Sequence, residues 1–121
     1  MNPEEVIDTA IKLWKEMASE IIAIVGESGF NSLYSRSIFL TQSKFPWVES
    51  CSESLQIDQR LAVLKINFEG QTPVQASEAN NSLLTTFTDI LASLIGEKLT
   101  ITILRSAWGN DASGYHQGVQ K

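Results

Sequence analysis

In the first 25 residues Ile7, Ala10, Ile11, Trp14, Met17, Ile21 and Val25 recur at spacings of three and four, with Ala10 and Ile11 adjacent. That period gathers them into one stripe of an α-helix and onto no single face of a strand. The start suits a helix too. Asn2 can cap, Pro3 fits the first helical position, and Glu4 and Glu5 sit at the positive end of the dipole. Lys12, Lys15, Glu16 and Glu20 take the other face, and Gly26 marks the end. A helix with such a stripe must bury it against something, so the rest of the chain is read for partners.

Three further segments supply them. After a turn at Gly26-Glu27-Ser28-Gly29, the residues Phe30, Leu33, Tyr34, Ser37, Ile38 and Thr41 predict a second helix, stopped before Phe45-Pro46. Trp47 and Val48 are expected to fold back onto the core. Ser50-Cys51-Ser52-Glu53 has the form of a capping box ahead of Leu55, Ile57, Leu61, Leu64 and Phe68, a third helix. Thr72-Pro73-Val74-Gln75 combines a capping box with proline at the first helical position, and Leu83, Leu84, Phe87, Ile90, Leu91, Leu94 and Ile95 follow. Asn80-Asn81 is a weak point in that helix.

Residues 99–103, Leu-Thr-Ile-Thr-Ile, alternate like a strand, and Leu64–Phe68 is the one stretch able to pair with them. As a helix, the same residues extend the series Leu91, Ile95, Leu99, Ile103 and Ala107, with Gly96 as a kink or break. Their β-branching costs only tenths of a kcal/mol per residue, against roughly 1.5–3 kcal/mol for burying each Leu or Ile. Packing decides for a helix. The expected fold is all-α: a single domain of four to five helices in an antiparallel bundle over residues 1–109, with residues 110–121 a flexible, Gly-rich C-terminal tail. There is no repeat at a solenoid period.

Charge and composition narrow the function. The net charge is −5, and residues 1–60 carry nine acids against five bases. Such a surface argues against nucleic-acid partners, whose phosphates are held by Lys and Arg. No apolar run approaches the roughly 20 residues a membrane helix needs, and the acidic N-terminus does not read as a signal peptide, so no membrane partner is expected. A single cysteine, Cys51, forms no intrachain disulfide and fits a cytoplasmic, reducing setting. One histidine, His116, and one cysteine supply no metal-ligand spacing, so neither metal nor cofactor is expected. No nucleophile sits beside a base in a known motif, which leaves an enzyme as the lesser reading. Cys51 and Asp89 read as an ordinary small residue and an edge residue.

Two sets of residues remain as candidates. Arg36 and Arg105 each precede a serine inside an apolar helix. If they converge, with Tyr34 and Trp108 nearby, they would hold a small anionic ligand bidentately. Separately, Leu33, Tyr34, Ile38, Phe39 and Leu40 spread around more of the second helix than one core-facing stripe uses. That excess predicts an interface, either with a second copy in a dimer or with a protein partner. The favoured function is a small self-associating interaction or regulatory module. The alternatives are a ligand sensor with an aromatic pocket between helices, or an enzyme with a dispersed polar site.

Overall fold

The computed structural model describes residues 3–49 and 56–108, with the side chains of Pro3 and Trp108 excepted. All regular structure in the described residues is helical: α1 (Pro3–Thr41), α2 (Ile57–Glu69), α3 (Pro73–Ile95) and α4 (Glu97–Trp108). The all-α expectation holds, and residues 99–103 are helix. None of these helices is long and apolar enough to cross a membrane. The predicted tail and the predicted cap at Ser50–Glu53 lie outside the described residues.

Helix α1 is not straight. At Gly26 the backbone has φ 85° and ψ 163°, a region essentially reserved for glycine. Trp14 and Tyr34 lie 20 residues apart, about 30 Å along a straight helix. Their rings are 5.7 Å apart and meet edge to face. The chain has therefore folded back on itself, with residues 3–25 forming a first arm and 27–41 a second. The sequence suggested a four-residue turn from Gly26 to Gly29. A single residue does the work, because one positive-φ step reverses the helix without a loop.

The same device recurs at Gly96, with φ 96° and ψ 152°. The first arm and α3 run parallel: Val6, Ile7 and Ala10 share a small pocket with Ala76, Ser77 and Asn80, and Trp14 packs on Phe87 with centroids 5.4 Å apart. Ser106 then donates to Glu20 Oε1 at 3.2 Å. Glu20 lies level with the last third of α3, whereas a straight continuation would carry residue 106 well beyond it. Helix α4 has turned back as well. Two one-residue hairpins thus stand side by side with both bends at the same end.

Helix α2 lies across the first hairpin. Its Ile57 and Asp58 adjoin Lys15, Ala18, Ser19 and Ile22, and its Lys65 pairs with Asp8 at 3.1 Å, so it runs antiparallel to the first arm. Its cap is Gln56, whose N–H donates to Gln59 Oε1 at 3.1 Å. Thr72 caps α3 as predicted, with Gln75 N–H donating to Thr72 Oγ1 at 3.1 Å.

The core is aromatic at its centre. Trp14, Phe30, Tyr34 and Phe87 are fully buried and in mutual ring contact. Edge-to-face pairs of this kind add about 0.5–1.5 kcal/mol beyond area burial. The Trp14 indole N–H donates to Asn80 Oδ1 at 2.8 Å. The asparagine that weakens α3 by propensity thus satisfies a donor that burial would otherwise strand.

Candidate interaction surface

The second arm of α1 carries most of the residues singled out above, and its two sides have different fates. Phe30, Leu33, Tyr34, Ser37, Ile38 and Thr41 are buried, at the three- and four-residue spacing of an inward stripe. Leu33, Tyr34 and Ile38 were expected at an interface, and this is corrected: they belong to the core. Three elements close over this arm, namely the first arm, α2 and α3, so its buried face is wider than a single stripe. Tyr34 is likewise removed from any ligand site, because its ring is enclosed between Trp14 and Phe30.

Phe39 and Leu40 fall outside the stripe and stay on the surface, 67% and 40% exposed. The end of the helix that presents them is held firmly. Gln42 N–H donates to Ile38 C=O, and Lys44 and Phe45 N–H donate to Thr41 C=O. The Gln42 side-chain amide donates to Val48 C=O at 2.7 Å, and Glu49 N–H donates to Asn67 Oδ1 of α2 at 2.7 Å. Val48 is buried, and Trp47 packs edge to face on Phe68 at 6.3 Å. Both residues fold back as the sequence suggested. Phe39 and Leu40 therefore stand on a braced helix end, which lowers the ordering cost of any contact they make.

Other large apolar side chains also meet solvent: Ile24, Ile66, Val74, Leu94, Leu99 and Ile101. Ile24, Leu94, Leu99 and Ile101 lie within five residues of a bend and so cluster toward that end of the bundle.

Arg36 and Arg105 are both exposed, on the second arm and on α4, and neither lines the pockets that α1 forms with α2 and α3. Trp108 closes α4, and its side chain lies outside the described residues, as do Cys51 and His116. Asp89 is exposed. The aromatic rings that would line a ligand pocket fill the space between the helices themselves. A groove of about 290 Å³ between the first arm and α2 is lined, among the described residues, by Lys15, Ala18, Ser19, Ile22, Ile57 and Asp58, none of them aromatic. Among the described residues, no group of three or more His, Cys, Asp or Glu is placed to hold a metal ion.

Sequence reasoning passed over Arg60, which is 1% exposed and donates from Nη1 to Ser35 Oγ at 3.2 Å, among its interactions. A signal was present: Arg60 directly precedes Leu61 and is four residues from Leu64, on the buried stripe of α2. Its hydrogen bond ties α2 to the second arm one helical turn before Phe39. Comparison of the chain with protein-family models, with curated proteins and with solved structures found no match.

Proposed function

We propose that this chain is a small interaction module that self-associates through the outer side of the second arm of α1, in a cytoplasmic setting and in a regulatory or assembly role. One observation carries the reading: Phe39 keeps two-thirds of its surface in water on a helix end braced by side-chain hydrogen bonds. A phenylalanine held out in this way gives an association large apolar area at little entropic cost. Leu40 widens the patch. A two-fold dimer is the simplest partner arrangement, because one patch then covers its own copy.

The test is sedimentation of the wild-type protein and of Phe39→Glu, with circular dichroism alongside. The wild type is expected to be dimeric at tens of micromolar. The variant is expected to be a monomer of unchanged helicity, because position 39 faces water once the copies separate. A wild-type monomer at that concentration contradicts the proposal.

A further inference from the structure

The two bends are alike in backbone geometry, and at Gly96 the joined helices carry an apolar pattern that runs straight through the bend. Leu91, Ile95, Leu99, Ile103 and Ala107 keep a four-residue spacing across Gly96. Leu94 and Ile101, seven apart and both exposed, would share a single stripe if the chain were straight. The hydrogen bonding is also nearly continuous. Gly96 N–H donates to Ala92 C=O at 2.8 Å as the last bond of α3, and Thr100 N–H donates to Gly96 C=O at 3.1 Å as the first of α4. Straightening would join the amides of residues 97, 98 and 99 to the carbonyls of 93, 94 and 95, groups that a helix break leaves without an intrahelical partner. It would also release Gly96 from its positive φ.

Helix α4 opposes that change because it is packed within its own chain, with Ser106 on Glu20 of the first arm and with Thr100 and Ile103 buried. A second copy can offer the same seat. We propose that Gly96 is an exchange hinge: α3 and α4 straighten into one helix over residues 73–108, and α4 docks on the first arm of a second copy of this chain. Every contact of α4 is then kept between chains instead of within one, and a one-residue connection under conformational constraint favours such an exchange. Where the two straightened helices pass each other, the stripe of Leu94 and Ile101 meets its own copy. Gly26 is the harder hinge, because parting its arms must first break the Trp14–Tyr34 ring contact at the centre of the core.

Gly96→Ala tests this directly. A Cβ at position 96 meets nothing within 4 Å, so alanine is refused by backbone conformation and not by space. In a Phe39→Glu background, which removes the surface association proposed above, the expected result is a fully helical protein whose dimer fraction at tens of micromolar rises about tenfold over that of Phe39→Glu alone. Exchange is identified by mixing two single-cysteine chains in a Cys51→Ser, Gly96→Ala background, one carrying Glu20→Cys and the other Ser106→Cys. These are refolded together and treated with a short bis-maleimide. Exchange predicts a covalent heterodimer. Inserting Gly-Ser-Gly after Gly96, in place of the alanine, should restore the within-chain hairpin and abolish that product. A folded monomeric Gly96→Ala, an unfolded one, a dimer without the cross-link, or an insertion variant that cross-links as well would each overturn the proposal. The exchanged dimer is expected to survive Phe39→Glu, which separates this outcome from the surface association proposed above.

Discussion

The hairpins at Gly26 and Gly96 are built on one plan and filled unequally. Pro3 and Pro73, Gly26 and Gly96, and Glu27 and Glu97 are each 70 positions apart, and the buried Met17 and Ile21 correspond in register to Phe87 and Leu91. After the bend, Phe30 and Leu33 correspond to Thr100 and Ile103, all four buried. Inside the first hairpin, Trp14, Phe30 and Tyr34 interlock. Inside the second, the returning helix contributes a threonine, one isoleucine and the partly buried Leu104 and Ala107. The Thr100 hydroxyl turns back to Gly96 C=O at 2.8 Å instead of packing outward. An identical turn therefore does not set the strength of what it joins. Side-chain volume on the inner faces sets it, since dispersion and apolar burial scale with the atoms brought together.

The largest expected effect follows from that difference. Trp14→Ala empties the centre of the first hairpin and should destabilise by about 3–5 kcal/mol, whereas Ile103→Ala in the second should cost about 2 kcal/mol. Chemical denaturation of both variants measures the contrast, and equal losses would break it. The next effect belongs to the bend. Gly26→Ala forces a side chain into a backbone region that alanine resists, with open space around the new Cβ, so the cost should be conformational, about 1–3 kcal/mol. In the Phe39→Glu background the variant should remain monomeric under conditions in which Gly96→Ala dimerises.

How far this contrast was legible in the sequence depends on the interaction involved. The inward stripe of the first arm, the Thr72 cap and the helical state of residues 99–103 follow from local periodicity and capping chemistry, which act within a few residues. The reversal at Gly26 does not. A glycine after a helix signals an end, yet only tertiary packing decides whether the chain leaves through a loop or doubles back in one step. The candidate surface was legible in part for the same reason. Periodicity showed that the second arm carried more apolar residues than one stripe uses. Which of them faced inward depended on three neighbouring elements, so Leu33, Tyr34 and Ile38 went to the core while Phe39 and Leu40 did not. Arg60, which local pattern passed over, and Asn80, read locally as a helix flaw, meet Ser35 and Trp14 across 25 and 66 residues.

The smallest effect concerns the seam between α2 and the first arm. Lys65 is held above its ordinary value of 10.5, chiefly by its hydrogen bond and attraction to Asp8. A raised lysine stabilises the fold below its unfolded pKa, and that contribution disappears as pH climbs through the folded value. Lys65→Met should therefore be slightly less stable than wild type at neutral pH, with the difference vanishing in strongly alkaline solution. Both partners are substantially exposed, so the difference should be near the limit of denaturation measurements.

Native-state hydrogen exchange tests the inequality of the two hairpins most directly, because it reads the opening free energy of each amide in the unmodified protein. Amides of residues 100–107 in α4 are predicted to exchange through a partial opening that leaves the first hairpin intact, with protection well below that of residues 11–21 in the first arm. Equal protection in the two segments, both opening only with global unfolding, would contradict the account.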